Sequence, residues 1–121
     1  MALPKRYRLT STKEFSRVYQ TGKQVSTKHL VVKLTDAPEG SLNQTCSRFG
    51  ITVSQKVSKR SVMRNRLKRQ VRAALQKLMP RLKSGFWVVI ILRSAAVECD
   101  YWQFLQELEQ LLLELEVCDG H

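Results

Sequence analysis

A basic, amphipathic segment lies between two runs of strand-forming residues, and this alternation constrains the fold more than any other feature of the chain. Over residues 59–78, apolar side chains recur at helical spacing and share one face; they are Met63, Leu67, Val71, Ala74, Leu75 and Leu78. Residues 48–54 and 86–92, on either side, have the composition and length of strands. The second run is apolar almost throughout, which predicts a strand buried on both faces. The central part of the chain is therefore predicted to form a strand, a helix and a second strand.

The first element is predicted to be a short helix. Ser11 and Glu14 have the spacing of a capping box, with Ser11 as the N-cap and Glu14 at the third helical position. The helix is expected to extend to about Gln20, and Gly22 supplies its C-terminal stop.

Two further strands and a last helix complete the pattern. A strand is predicted over residues 28–34, preceded by a short lead-in strand near residues 24–26 and followed by a turn-rich loop at residues 36–41. The last helix is predicted over residues 101–117, with Asp100 as its N-cap. The order of one helix, two or three strands, a helix, a strand and a helix indicates a mixed sheet with helices packed on it, an α/β fold of the two-layer α+β kind.

The length of 121 residues allows one domain with a single core. We assign residues 1–121 to that domain and residues 1–10 to a flexible, basic N-terminus in which Tyr7 and Leu9 are the expected anchors. No apolar run approaches the length of a membrane span, and the N-terminus lacks the apolar region of a signal peptide. The chain is therefore expected in the cytoplasm, without contact with a membrane.

The three cysteines, Cys46, Cys99 and Cys118, are odd in number and widely spaced, and the sequence contains no Cys-x-x-Cys motif. This pattern argues against a disulfide framework and against a zinc site, and it fits a reducing compartment. Each cysteine is therefore predicted to be a small, buried, apolar residue.

Charge is divided unevenly along the chain. Residues 1–97 contain all 21 Lys and Arg residues and three acids, a net charge of +18, whereas residues 98–121 contain the other seven acids and no Lys or Arg, a net charge of −7. A field of this kind raises the local concentration of an anionic partner and speeds the encounter with it. RNA, DNA, an acidic membrane and an acidic protein are all compatible with charge alone.

The polar side of the segment at residues 59–78 concentrates the positive charge. Beside its apolar face lie Arg64, Asn65, Lys68, Arg69, Arg72 and Gln76. Like charges four residues apart destabilise an isolated helix when no acidic partner is present, so a merely solvated surface explains this pattern poorly. Because the planar guanidinium group suits phosphate, the segment indicates a helix that binds a polyanion.

Two classes of binding protein fit the pattern less well. A DNA-binding protein would be expected to carry two helices at helix-turn-helix spacing, whereas strands flank the basic helix here. A helix that binds a membrane surface also places apolar residues opposite its cations, but Met63, Leu67 and Val71 are needed for the core. Neither DNA nor a membrane is therefore expected as the partner.

The chain lacks the residues of a protein nuclease. Such an enzyme needs paired acids that hold metal ions, or a pair of histidines for acid–base work. The acids of the basic region are scattered at positions 14, 36 and 39, His29 is isolated on a strand, and His121 is the last residue. No catalytic residue and no metal site is therefore expected in the protein.

The basic segment resembles a known family. Residues 60–72, with Arg-Asn-Arg-Leu-Lys-Arg at positions 64–69, are similar to the signature helix of the bacterial ribonuclease P protein component. Residues 7–22 resemble the first helix of that family, and residues 49–56 resemble the strand that leads into its basic helix. The similarity covers roughly residues 5–105 in matching order.

The resemblance implies a fold and a function. The fold is α-β-β-β-α-β-α with a left-handed β-α-β crossover around the basic helix, although such crossovers are generally right-handed. The family's protein binds a large catalytic RNA, one protein per RNA, and the pair removes the 5′ leader from precursor tRNA. The RNA holds the Mg²⁺ ions and performs the phosphodiester hydrolysis, so the protein itself is expected to bind no cofactor. A structural RNA-binding protein of ribosomal type is the alternative function.

The resemblance also implies two sets of binding residues. Those expected to contact RNA on the basic helix are Arg60, Arg64, Asn65, Arg66, Lys68, Arg69 and Arg72. Those expected to line a cleft for the single-stranded leader, between the first helix and the sheet, are Phe15, Tyr19, Lys33 and Lys56. An aromatic ring can stack on any base, which suits Phe15 and Tyr19 to such a cleft, although the helical pattern alone equally allows Phe15 to be a core residue. Lys33 stands where several relatives carry a cleft Tyr, so its contact would be phosphate attraction instead of stacking.

Overall fold

The computed structural model describes residues 8–9, 12–36, 47–83 and 85–116. Its helices and strands, in chain order, are α1 Thr12–Thr21, β1 Lys23–Ser26, β2 Leu30–Asp36, β3 Arg48–Thr52, α2 Ser61–Leu78, β4 Phe86–Leu92 and α3 Tyr101–Glu114. Two short 3-10 helices that the sequence did not predict lie at Met79–Arg81 and Ser94–Glu98. The predicted order α-β-β-β-α-β-α is confirmed.

The strands of the described residues form one mixed sheet in the order β1-β2-β4-β3. β2 is antiparallel to both β1 and β4, and β3 is parallel to β4. Because parallel neighbours need a crossover connection, the chain leaves β3, forms α2 and returns as β4. This is the β-α-β unit for which the family resemblance implies a left-handed crossover.

Helices cover the two faces of the sheet unequally. α2 and α3 pack against one face to form the main core, to which β4 contributes Val88 and Ile90. α1 packs on the other face, where Val18 belongs to a smaller buried cluster with Trp87 and Val89. Alternate residues of β4 therefore point into two different cores, and the predicted burial of this strand on both faces is confirmed.

β2 begins two residues later than predicted because Thr27 forms a turn ahead of it. The Thr27 hydroxyl oxygen accepts hydrogen bonds from the backbone N–H groups of His29 and Leu30, at 3.2 and 3.1 Å. Such a side-chain turn competes with regular strand pairing. β2 therefore runs from Leu30 to Asp36, and the remainder of the predicted loop at residues 36–41 lies outside the described residues.

α1 ends at Thr21, close to the predicted position, and Gly22 is required there for close packing. The Gly22 N–H donates to the carbonyl of Val18 at 3.0 Å. A Cβ atom at Gly22 would lie 2.6 Å from that carbonyl oxygen and 2.7 Å from the carbonyl oxygen of Leu34, so a larger residue does not fit. The predicted N-cap, Ser11, lies outside the described residues.

α3 begins at Tyr101, and Asp100 caps it as predicted. The Asp100 carboxylate accepts a hydrogen bond from the backbone N–H of Gln103 at 3.0 Å, which satisfies one of the unpaired donors in the first turn. The helix ends at Glu114. Its predicted last residue, at position 117, lies outside the described residues.

Leu9 anchors the N-terminal segment, as predicted. Its side chain is buried, and its N–H donates to the carbonyl of Phe49 at 2.8 Å, at the outer edge of β3. Arg8 forms a parallel bridge with the same residue. The other predicted anchor, Tyr7, lies outside the described residues, and the flexibility of residues 1–10 stays a prediction.

Cys99 is buried and unpaired, as predicted, whereas Cys46 and Cys118 lie outside the described residues. None of the helices in the described parts of the chain combines the length and the apolar character that crossing a bilayer requires.

Candidate nucleic-acid interface

α2 presents opposite apolar and basic surfaces. The helix begins at Ser61, two residues after the predicted start, because Arg60 is extended and precedes the helix as its N-cap. The buried members of its apolar stripe are Leu67, Val71, Ala74, Leu75 and Leu78. Met63, which is partly buried, packs against the same core. The predicted stripe is therefore confirmed, and the cations of the helix lie away from the core.

The residues predicted to contact RNA from α2 differ in exposure. Exposed are Arg60, Asn65, Arg66 and Arg69, and half-buried are Arg64, Lys68 and Arg72. No carboxylate of a described residue forms an ion pair with any of these cations. Within the described chain, their charge is therefore available to an anionic partner.

Arg64 has a structural contact in addition to its charge. One of its guanidinium nitrogens donates to the carbonyl oxygen of Ser58 at 2.9 Å, across the loop that leads into α2. This contact closes the loop against the first turn of the helix. The sequence pattern shows that Arg64 lies outside the apolar stripe, but it cannot show this contact, which depends on the path of the loop.

The N-terminus of α2 is electropositive. Arg60 makes no side-chain hydrogen bond to the helix, and the first turn carries no acidic residue. The free N–H groups of the first turn therefore add their partial positive charge to that of the neighbouring side chains. Lys59, Arg60 and Arg66 line an open depression there together with Val62, which is 78% exposed.

Phe15 packs closely against the sheet because the strand beside it has no side chain at that point. A Cβ atom at Gly50 of β3 would lie 2.5 Å from two carbon atoms of the Phe15 ring. Phe15 is half-buried and packs against the cluster on the α1 side of the sheet. The ring is therefore held in place by the strand and retains an exposed part.

Tyr19 lies one helical turn beyond Phe15 and is 42% exposed. The two ring centroids are 6.4 Å apart, with an interplanar angle of 37°. The Lys33 ammonium nitrogen lies 5.0 Å from the centroid of the Tyr19 ring, within the range of a cation–π contact. The structure thus brings together three of the four predicted cleft residues, with two aromatic rings and one positive charge.

Lys56 is not part of this cluster. It is exposed in the turn that follows β3, and within the described residues no contact joins its side chain to Phe15 or Tyr19. Its backbone carbonyl accepts a hydrogen bond from the Ser94 hydroxyl at 3.4 Å.

A row of strand residues that the sequence did not predict extends the cleft along the sheet. The row crosses all four strands at paired positions and consists of Ser26, Val31, Ile91 and Thr52. Lys33 and Gly50 lie two residues away on their strands, and residues two apart share one face of a sheet. The row is exposed at Ser26 and half-buried elsewhere. Ile91 belongs to an unbroken apolar run, whose pattern cannot show which face remains open.

An ion pair between α1 and β3 fixes the N-terminal part of α1. The Arg48 guanidinium pairs with the Glu14 carboxylate and lies 6.0 Å from the centroid of the Trp87 ring. Glu14 is the residue predicted for the capping box, whose partner Ser11 lies outside the described residues. The contact with Arg48 joins residues 34 positions apart, which sequence spacing does not reveal.

A groove joins the aromatic cleft to the basic helix. It is lined by residues of the N-terminal segment, α1, β3 and α2, namely Arg8, Leu9, Phe15, Phe49, Gly50, Ile51, Lys68 and Arg72. Phe15 therefore borders both the cleft beside Tyr19 and the cations of α2. Members of both predicted sets, Phe15 of the cleft and Lys68 and Arg72 of α2, therefore line one groove.

His29 is not isolated on a strand, contrary to the sequence prediction. It precedes β2, and its Nδ1 lies 2.7 Å from Oε2 of Glu107 in α3. This pair joins the β1–β2 turn to α3, which packs on the side of the sheet opposite α1. The sequence pattern missed the contact because its two partners are 78 residues apart.

Comparison with known proteins gives a consistent result. Residues 3–116 match the family Ribonuclease P. The ribonuclease P protein component of Cyanothece sp. is 47% identical over 98% of this chain and 99% of its own length, and that of Microcystis aeruginosa is 44% identical over the whole of both chains. Among solved structures, the RNase P protein of Staphylococcus aureus superposes with a TM-score of 0.80 at 26% identity, over 93% of this chain and 98% of that chain. The RNase P protein of Thermotoga maritima gives a TM-score of 0.76 at 29% identity, over 88% of this chain and 96% of that chain.

Proposed function

We propose a function from one established premise: this chain belongs to the ribonuclease P protein component family. It is a protein subunit of the endoribonuclease ribonuclease P, which matures the 5′ end of tRNA. We propose further that α2 binds the catalytic RNA of this enzyme and that the cleft between α1 and the sheet binds the 5′ leader of precursor tRNA. The proposed complex contains one protein per RNA and acts in the cytoplasm.

The contact with the catalytic RNA is supported by the unpaired cations of α2. Arg66 and Arg69 are exposed guanidinium groups without a carboxylate partner among the described residues. A guanidinium group donates to two phosphate oxygens at once, and each phosphate that is neutralised releases counterions. The electropositive N-terminus of α2 adds a further attraction for phosphate.

The contact with the leader is supported by the rings of Phe15 and Tyr19. Both side chains retain exposed surface above the sheet, where a single-stranded base can stack without its sequence being read. Lys33, beside Tyr19, supplies a charge for the phosphate next to a stacked base.

One observation carries the proposal: Phe15 lines the same groove as Lys68 and Arg72. A leader that stacks on the rings would therefore continue along the basic surface of α2. The groove past β3 would then join the contact with the substrate to the contact with the catalytic RNA. A structural RNA-binding protein of ribosomal type would not need two aromatic rings exposed over a cleft lined by strands.

In this proposal the protein contributes binding, and the RNA performs the hydrolysis. The cations of α2 reduce the repulsion between the phosphates of the two RNA molecules, so fewer Mg²⁺ ions are needed to bring them together. The Mg²⁺ ions that act on the scissile phosphodiester are proposed to be held by the RNA.

Reconstitution tests the proposed function. A bacterial ribonuclease P RNA is mixed with precursor tRNA at a Mg²⁺ concentration at which the RNA alone cleaves poorly, and the full-length protein is added. We expect accumulation of mature 5′ ends, at a lower Mg²⁺ requirement. Binding to unrelated RNA without stimulation of cleavage would instead support the structural, ribosomal type of function.

A further inference from the structure

Three side chains with different donor atoms meet between the sheet and α3. They are His29 in the turn before β2, Cys99 just before α3, and Glu107 within α3. The His29 Nδ1, the Cys99 Sγ and a carboxylate oxygen of Glu107 all lie within 4.8 Å of one another. Cys99 is buried, and the side chains of His29 and Glu107 are each only 12% exposed. Each residue comes from a different segment, so their meeting is a product of the fold.

We propose that these three side chains form a binding site for a single Zn²⁺ ion. One imidazole nitrogen, one sulfur and one carboxylate oxygen are the donor types that zinc accepts, and three protein ligands leave the fourth position for a water molecule. In a tetrahedral zinc site, such donor atoms are separated by about 3.3–3.6 Å. The present separations bracket that range, from 2.7 Å between His29 and Glu107 to at most 4.8 Å. Shifts of about 1 Å in the positions of these donor atoms would give tetrahedral separations.

Neighbouring groups already hold the proposed ligands in position. The Thr27 hydroxyl accepts from the N–H groups of His29 and Leu30, so its own proton is directed to Oε1 of Glu107. This leaves Oε2, the oxygen next to His29, to bind the ion. The carbonyl of His29 accepts from the N–H of Arg93 at 2.8 Å, which fixes the backbone of the imidazole ligand. Partners that orient the ligands in this way are a regular part of metal sites.

Two of the three side chains have shifted pKa values. Burial acts to raise the pKa of the Glu107 carboxyl, but hydrogen bonds from Thr27, His29 and Gln103, together with the electrostatic effect of His29, lower that pKa below its usual value. Burial, and after it the charge of Glu107, raises the pKa of the Cys99 thiol to about 11. The thiol therefore keeps its proton in the metal-free protein, and this proton passes to water when the sulfur binds the ion. The proton that His29 donates to Glu107 must also leave Nδ1, so the imidazole binds the ion with its remaining proton on Nε2.

The sequence argument against zinc considered the spacing between cysteines, which applies to sites built from several thiolates. When one cysteine, one histidine and one carboxylate from distant segments form a site, the sequence contains no characteristic spacing between the ligands. The proposed site shares no residue with the proposed RNA interface. Its expected effect is structural, because the ion would join the β1–β2 turn to α3.

Cobalt titration of the full-length protein tests the site. The protein is first treated with a chelator and then titrated with Co²⁺, whose thiolate bond gives an absorption band in the near ultraviolet. We expect saturation at one equivalent, displacement of the cobalt by Zn²⁺, and a rise in the melting temperature with either ion. Cys99→Ser, a substitution of similar size, should abolish the band and the rise. The double variant Cys46→Ser, Cys118→Ser serves as the matched control and should keep both.

Two further variants separate a metal site from a simple hydrogen-bonded network. Glu107→Gln, which removes a ligand charge, should weaken Co²⁺ binding by at least about 100-fold. Thr27→Val, which removes the partner of Glu107 Oε1 and the hydrogen bonds of the turn before β2 but no ligand, should weaken it by about 10–100-fold. A folded wild-type protein that shows no thiolate–cobalt band would overturn the proposal. The proposal would also be overturned if the band persists in Cys99→Ser, or if it disappears only in the control variant.

Discussion

At the scale of single residues, the contact between Gly50 and Phe15 determines how much of the aromatic ring is available. The ring rests on bare backbone, and a methyl group at position 50 would overlap two of its carbon atoms. A half-buried residue on a helix can serve the core, a ligand or both, and Phe15 is placed to do both. The sequence pattern left these roles undecided because the same helical stripe produces either.

Gly50→Ala is predicted to displace the Phe15 ring. The added Cβ atom would lie 2.5 Å from the ring, and overpacking of this kind costs about 1–3 kcal/mol of stability. The melting curve should shift downward, and the preference for precursor over mature tRNA should fall. In a Phe15→Ala background the same substitution should cost much less, because the overlapping ring is gone. Equal costs in both backgrounds would show that the two residues do not interact.

Tyr19→Ala is predicted to weaken leader binding with little effect on folding. Tyr19 is 42% exposed, and the loss of one stacked base is expected to cost about 1–3 kcal/mol of binding free energy. Affinity for precursor tRNA with a leader of several nucleotides should decrease, whereas affinity for mature tRNA and for the catalytic RNA should persist. Tyr19→Phe is the matched control, since it keeps the ring.

A different set of results would assign Tyr19 a role in packing instead of leader binding. If Tyr19→Ala lowers the melting temperature and affects precursor and mature tRNA alike, the ring has a packing function only. If the precursor preference survives both Tyr19→Ala and Phe15→Ala in folded protein, the proposed leader cleft is wrong.

At the scale of elements, α2 separates its apolar and its basic residues by face. The apolar face was predictable in full, because a period of 3.6 residues fixes which positions share a side. The contact of Arg64 with Ser58 could not be predicted, because it depends on the path of a loop that has no periodic sequence pattern. The start of β2 was displaced for the same reason, since the hydrogen bonds of Thr27 override the strand preference of the residues that follow.

Substitutions on the exposed face of α2 test its contact with RNA. The double variant Arg66→Ala, Arg69→Ala should remain folded and bind the catalytic RNA more weakly. The slope of log affinity against log salt concentration should become shallower by about 0.9 per lost phosphate contact, if the value for duplex DNA applies. Lys77→Ala is the matched control, an exposed cation in the last turn of the same helix. Arg64 is left intact, because its removal would also disturb the loop before the helix.

Asp100→Ala should affect stability alone. The substitution removes the carboxylate that accepts from the Gln103 N–H at the start of α3, and the loss of an N-cap costs about 0.5–2 kcal/mol. Denaturant unfolding should show this decrease, while the affinities for precursor tRNA and for catalytic RNA stay unchanged at temperatures where the protein is folded. A change in RNA affinity without a change in stability would contradict the structural role of this cap.

At the scale of the whole molecule, the division of charge does not follow the layers of the fold. α1 and the proposed leader cleft lie on one side of the sheet, whereas the basic α2 and the acidic α3 both pack on the other. The sequence revealed the division of charge and the order of elements. It did not reveal that Phe15, Lys68 and Arg72 line one groove, because that depends on how α1 and α2 flank the edge strand β3. The cleft was predicted from the family resemblance, because local sequence patterns do not indicate it.

Removal of exposed acids from the α3 side should leave the RNA contact itself unchanged. Glu98 and Glu114 are both exposed, and the double substitution to Gln raises the net charge without adding a phosphate contact. We therefore expect a modest increase in the association rate with RNA at low salt, and the same salt slope as the wild-type protein. A steeper slope would place the α3 side in the interface.

The position of β4 has a consequence for how the molecule is made. β4 pairs with both β2 and β3, yet it is the last of the described strands to be synthesised. Until it emerges from the ribosome, β3 has no neighbouring strand, and the β1–β2 hairpin alone is only marginally stable. The apolar stripe of α2 likewise has no complete sheet to cover. Cooperative folding is therefore expected only after the final third of the chain has been synthesised. Before β4 is available, the incomplete polypeptide is an unfolded polycation.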